Sequence, residues 1–201
     1  LVGSEMCIRD RSFAVRFADT SAPAKPVQEQ LLLAYDADIL SDDAARSDGR
    51  MGRSEQTMPA EMLPDTITSE GIDFAIRGRE KGTDNAVECR GQQITLPAGD
   101  YDRIYLLAAA EEEAAGCFEV DGAEQWLDIA KWKGFVGQHY AQTIVPDSTA
   151  YKTLAVDNPY LRKDPIAWFA SHCHAPKRNI AYQYCYLYKY CLLYTSPSPR
   201  D

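Results

Sequence analysis

The side chains of this 201-residue chain that could do chemistry gather most closely in residues 166–190, IAWFASHCHAPKRNIAYQYCYLYKY. His172 and His174 are two apart. On a strand, side chains alternate between faces, so both imidazoles leave from one side, the geometry by which an H-x-H pair chelates zinc or copper. Asp164 or His139 is the third donor such a site would draw on. Two imidazoles do not close a site, however. The expectation is a pair of rim histidines hydrogen-bonded to backbone or loop carboxylates, with no metal ligand assigned. Ser171 adjoins His172 but points to the opposite face, so the two are not a nucleophile and its base. Cys173 and Cys185 come with no positioned base. In residues 41–61, Asp48 and Arg50 offer a carboxylate and a guanidinium to a sugar or Ca²⁺, but the spacing matches no calcium-loop pattern and a solvated loop is the default. Glu111, Glu112 and Glu113 read as a solvated turn, because sugar hydrolysis needs two carboxyls roughly 5–10 Å apart across a cleft. No residue is assigned a catalytic role. The candidates for carbohydrate contact are Trp168, His172, His174, Asp48 and Arg50.

These residues must be positioned by strands. Strict alternation places Tyr182, Tyr184, Tyr186, Tyr188 and Tyr190 on one face of a strand and Gln183, Cys185, Leu187 and Lys189 on the other. In the strand before it, Ile166, Trp168, Ala170, His172 and His174 share a side, opposite Ala167, Phe169, Ser171 and Cys173. Residues 175–179 (APKRN) form the hairpin loop between them. The tyrosine face has two uses, packing inward or stacking on sugar rings, and packing is the expected one. Trp126, Trp132 and Trp168 also suit core or interdomain anchors. Upstream, short strand signals fall at 30–40, 67–76, 86–89, 93–96, 101–109 and from 117, with Asp121-Gly122 as a hairpin turn. Residues 41–61 are an aperiodic surface loop, 123–140 a strand followed by an aromatic loop, and 142–163 irregular. The pattern predicts an all-β fold, a jelly-roll-like β-sandwich.

The net charge of −9 disfavours binding to nucleic acid or to anionic membrane surfaces. No apolar run approaches the ~20 residues of a membrane helix. The chain ends, LVGSEMCIRD (1–10) and CLLYTSPSPRD (191–201), back-translate to complementary strands of a sequencing-library adaptor, with Arg11 a junction codon. They are set aside. That leaves a linker at 12–29 and one domain at 30–190. Of the six cysteines, Cys89, Cys117, Cys173 and Cys185 lie within it and form no CxxC pair; disulfides and buried free thiols are both open.

Several longer stretches are specific: ARSDGRM (45–51), MPAEMLP (58–64), NAVECRGQQITLPAGDYDRIYLLAAA (85–110), WKGFVGQHY (132–140), and IAWFASHCH followed by YQYCYLYKY. In order, they resemble the C-terminal β-rich region of microbial α-mannosidases of the zinc-dependent glycoside hydrolase type, family 38. The family's pattern has a cation between the two histidines where Cys173 stands here. The resemblance implies a retaining hydrolase of α-mannosidic bonds whose zinc ion and aspartate nucleophile lie in an upstream catalytic domain. No stretch here matches that domain, so no catalytic residue is carried over, no cofactor is expected in this chain, and zinc is expected in the parent. The implied partners are that catalytic domain and mannose-containing glycans. A stand-alone carbohydrate-binding module is the alternative. The resemblance also implies strands beyond residue 190, so the sandwich is expected to be incomplete at its C-terminal side, with an exposed edge and poor solubility. A secreted or periplasmic setting suits a glycan-degrading parent, but no compartment is assigned.

Overall fold

A computed structural model describes residues 27–134, 142–146, 151–156 and 165–194, the two short middle segments as backbone only. Its centre is an antiparallel sheet in which β11 (Arg178–Leu193) lies between β10 (Ile166–Ala175) and β5 (Arg103–Ala108). Three hairpins accompany it: β3–β4 (Thr66–Ser69 and Ile72–Ala75), β6–β7 (Ala114–Val120 and Ala123–Ile129) and β8–β9 (Gln142–Pro146 and Tyr151–Val156). β1 (Leu40–Ser41) and β2 (Met58–Pro59) form a short parallel pair. Thr57 joins that pair to β10 by exchanging both main-chain hydrogen bonds with His174 at 3.1 Å. No described helix is long and apolar enough to cross a membrane.

Two of the hairpins turn for the same reason. Glu70-Gly71 (φ 49° and 81°) and Asp121-Gly122 (φ 50° and 78°) place both central residues at positive φ, the twist that matches the flanking strands. Both central-sheet faces are covered. Cys185, Ala170 and Trp168 pack with Leu40, Met51, Met58, Leu63, Ile67 and Trp132, while Tyr186, Tyr188 and Tyr190 pack with Ala130 and lean on Leu106, Leu127 and Ile129. Tyr188 donates to the Lys131 carbonyl and Tyr186 to that of Gly134, so these rings are buried with their hydroxyls satisfied.

The tyrosine alternation holds from Tyr184 to Tyr190 and breaks at Tyr182. Ala170 pairs with Cys185 but His172 with Ala181, so β11 carries extra residues there; Tyr182 takes φ 61° and turns out to solvent. The same irregularity brings Cys173 to the side of Ala170 and Cys185, not the side opposite Trp168 that strict alternation gives it. The hairpin loop is also tighter than residues 175–179. Ala175 pairs with Arg178, which leaves Pro176 and Lys177 as the turn and puts Asn179 on the strand.

Other elements differ from expectation. Within 142–163, β8 and β9 form an antiparallel pair where the prolines suggested irregular chain. Residues 30–40 form no strand until Leu40 starts β1, and 86–89 and 93–96 contribute a single bridge, Ala37 to Ala86. The polar stretch 41–61 is no free loop, since Ser41, Met51, Thr57, Met58 and Ala60 are buried. Cys191 to Leu193 continue β11 against β5 with Leu192 buried: a Cys-Leu-Leu sequence extends a strand readily, whatever its origin. The four cysteines left open are free thiols, Cys89 and Cys117 exposed and Cys173 and Cys185 buried.

Candidate functional site

Chemistry-bearing side chains converge where β2 meets the end of β10. β2 stops at Pro59, and the single 3₁₀ turn Ala60–Met62 follows, closed by the Leu63 N–H on the Ala60 carbonyl. Ala60 and Leu63 go into the core, so Glu61 between them faces the rim. On the other side, Asp42 Oδ1 accepts from the N–H groups of Ala44 and Ala45, both at 2.7 Å, an Asx turn at the mouth of the loop beside Asp43.

His174 lies at the centre and is fully buried. Its Nδ1 is 2.9 Å from Ser41 Oγ, which in turn shares a short hydrogen bond with Thr57 Oγ1; both hydroxyl residues are buried too. Its Nε2 is 3.0 Å from Glu61 Oε1 and 3.5 Å from Asp43 Oδ1. His172 stacks obliquely on it, ring centroids 5.3 Å apart, and its Nε2 lies 3.7 Å from the same Glu61 oxygen. At the edge, Asn179 Nδ2 and Arg46 Nη2 both donate to Asp43 Oδ1 at 2.7 Å, and Arg46 Nε donates to Asn179 Oδ1 at 2.6 Å. The Asn179 amide first, and then the Arg46 guanidinium, hold the Asp43 carboxyl below the usual carboxylate range.

The chain Ser41–His174–Glu61 has the membership of a hydrolase triad but not its accessibility. Ser41 is 3% exposed and its oxygen is engaged by Thr57 and His174, so no substrate carbonyl can reach it. Inside the fold this chain is a polar strut. The two buried thiols give no accessible nucleophile either: the hydrogen bond between them pushes Cys185 strongly upward and lowers Cys173, but both are fully enclosed, so no substrate reaches either sulfur.

Of the sequence candidates, His172 and His174 come together here. Trp168 does not present its ring to solvent; it sits in the core with Nε1 donating to the Met62 carbonyl at 3.2 Å. Asp48 accepts from the Gly82 N–H at 2.7 Å, bracing the neighbouring turn, and Arg50 is exposed with its main-chain N–H on the Asp38 carbonyl. His139 and Asp164, the suggested third donors, lie outside the described residues. Glu61, Ser41, Thr57, Asp43, Arg46 and Asn179 were not singled out from sequence. The signal for Glu61 was the buried-type run Met58-Pro59-Ala60 just before it, inside an otherwise polar stretch.

A family model for the AziU2-like beta-sandwich domain matches residues 27–197. The chain belongs to that family. No curated protein matches it in sequence. The family match and the strand-only architecture, with a single 3₁₀ turn among the described elements, agree on an all-β sandwich. Nothing in the match connects this AziU2-like domain to α-mannosidases.

Proposed function

We propose that the chain is a non-catalytic β-sandwich module that binds a polyhydroxylated, glycan-type ligand at the rim formed by Asp43, Arg46 and Asn179, in the service of a glycan-processing protein. The observation that carries the reading is the mutual hydrogen bonding of these three side chains, which fixes a carboxylate, an amide and a guanidinium before any ligand arrives. Such preorganised planar groups match the paired donors and acceptors of vicinal hydroxyls and spare the ligand the cost of ordering them. The inaccessible Ser41 supports the non-catalytic part. The sequence resemblance supports a finer version, in which the ligand carries mannose and the hydrolytic zinc and nucleophile belong to an upstream α-mannosidase domain.

Calorimetric titration of the purified chain with methyl α-mannoside and mannose oligosaccharides tests this. The expected result is binding that weakens at least about tenfold in Asn179→Ala, with no release of nitrophenol from an aryl α-mannoside. Heatless titrations across the millimolar range with every glycan tried would refute the module reading. Binding of other glycans but not mannosides would refute only the finer one.

A further inference from the structure

We infer that Glu61, His172 and His174 form a binding site for one divalent zinc-class cation. Their donor atoms all lie within 4.8 Å of one another. Two imidazole Nε2 atoms converge on a single carboxylate oxygen, at 3.0 Å and 3.7 Å. Around a tetrahedral zinc ion with metal–ligand bonds near 2.0–2.1 Å, ligand atoms stand about 3.3 Å apart, so the two separations bracket what the ion needs. Side-chain shifts of a few tenths of an ångström would complete the coordination.

A second observation points the same way. His172 Nε2 is out of contact with solvent and, among the described residues, has no hydrogen-bond partner; the Glu61 oxygen it faces is too far to accept from it. A buried imidazole nitrogen without a partner is costly, and a cation between it and Glu61 satisfies it. His174 is arranged as metal-bound histidines are. Ser41, braced by Thr57, fixes the ring orientation through Nδ1. In the ion-free chain Nε2–H donates to Glu61; in the tautomer with Nδ1–H donating to Ser41 Oγ the Nε2 lone pair faces Glu61, the form that takes up a cation with release of one proton. In that tautomer a lone pair would meet a carboxylate oxygen at 3.0 Å, an arrangement a cation turns from repulsive to binding.

The donor set selects the ion. Two imidazoles and a carboxylate suit zinc and its neighbours and are a poor match for calcium or magnesium, which take oxygen ligands. Glu61 and Asp43 are part-exposed, so the fourth position opens toward solvent and takes water. This inference does not rest on the glycan reading: metal content and sugar binding are separate readouts, and a chain that binds the ion and no glycan keeps it.

The test is equilibrium dialysis of the chelator-stripped chain against Zn²⁺, with metal analysis, and Co²⁺ as a spectroscopic probe. One ion per chain is expected, with the visible bands of tetrahedral Co²⁺ and a rise in Tm on adding Zn²⁺. His172→Ala and Glu61→Gln, both at the rim, should retain the wild-type circular dichroism and lose at least tenfold in affinity, and their Tm should no longer respond to zinc. Asp48→Asn, whose carboxylate serves another turn, should take up zinc like wild type. Sub-stoichiometric uptake by the wild-type chain, or full uptake by both rim variants, overturns the site.

Discussion

Ser41→Ala is the perturbation that bears most directly on the polar strut. The hydroxyl holds two fully buried groups, Thr57 Oγ1 and His174 Nδ1. Removing it leaves both without that partner, and a buried polar group stranded in this way costs about 1–3 kcal/mol. The space vacated is that of one oxygen atom, too little for a replacing water with its own partners. The expected loss is about 2–4 kcal/mol, a large share of the 5–15 kcal/mol of a typical domain. In urea unfolding, with a slope of about 2 kcal/mol per molar, the midpoint falls by about 1–2 M at unchanged slope. Thr57→Val separates the two halves of the argument. It removes the second hydroxyl while Ser41 still serves His174, so it should cost only about 1 kcal/mol. A Ser41→Ala chain within about 0.5 kcal/mol of wild type, with the slope unchanged, would refute the strut.

Lys189 is buried on the face of β11 opposite the tyrosines, with its ammonium on Glu70 and over the Tyr105 ring. Lys189→Met, which removes the charge and keeps the volume, should stay within about 1.5 kcal/mol of wild type in chemical unfolding, whereas Glu70→Ala should cost more, about 1–3 kcal/mol, by leaving the ammonium without its carboxylate. Asp43 has a depressed carboxyl, so the hydrogen bonds it accepts from Asn179 and then Arg46 support the fold above the unfolded-state value and are lost as pH falls through the lower folded-state value. Asn179→Ala should move its titration upward, read by carboxyl-carbon NMR, and an unmoved titration would show that Asn179 is not the main cause. Iodoacetamide should modify Cys89 and Cys117 in the native chain but Cys173 and Cys185 only on unfolding. Slight desolvation by its neighbours, then the nearby Glu124 and Glu119, raise the exposed Cys117 thiol, so its alkylation should climb at higher pH than that of a free thiol.

What sequence made legible was local. The β6–β7 turn was readable from Asp121-Gly122, whereas 67–76, read as one strand, is the β3–β4 hairpin turning at Glu70-Gly71; the tyrosine run was readable because four of its rings keep one phase. The slip at Tyr182 was not. It needs a tyrosine at positive φ, and nothing in Tyr-Gln-Tyr announces one. The pairing of His172 with His174 followed from their spacing, but their surroundings did not: Glu61 comes from 113 residues away in sequence and Ser41 from 133. Contacts of that range leave no periodic trace in either segment. The stretch holding Ser41 and Thr57 looked like solvated loop because its polar content was counted and its destination was not. Its hydroxyls are polar groups used inside the fold.

That use explains why a histidine can occupy a fully enclosed position on β10. Thr57 meets β10 at one residue pair, and an apolar contact at a single bridge would do little to choose its register. A slip of one residue would set Cys173 or Ala175 against Thr57 and turn the imidazole away. The hydroxyls of Ser41 and Thr57 would then be buried without it, at about 1–3 kcal/mol for each unsatisfied group. The native register alone pairs all three, so the polar chain discriminates among pairings even where it adds little net stability. The consequence is visible in hydrogen exchange. The Thr57 and His174 amides, which close the bridge, should exchange as slowly as those at the centre of β11 in the wild type and lose that protection in Ser41→Ala. If they already exchange as freely as a frayed end in the wild type, the network is not what holds β2 to the sheet.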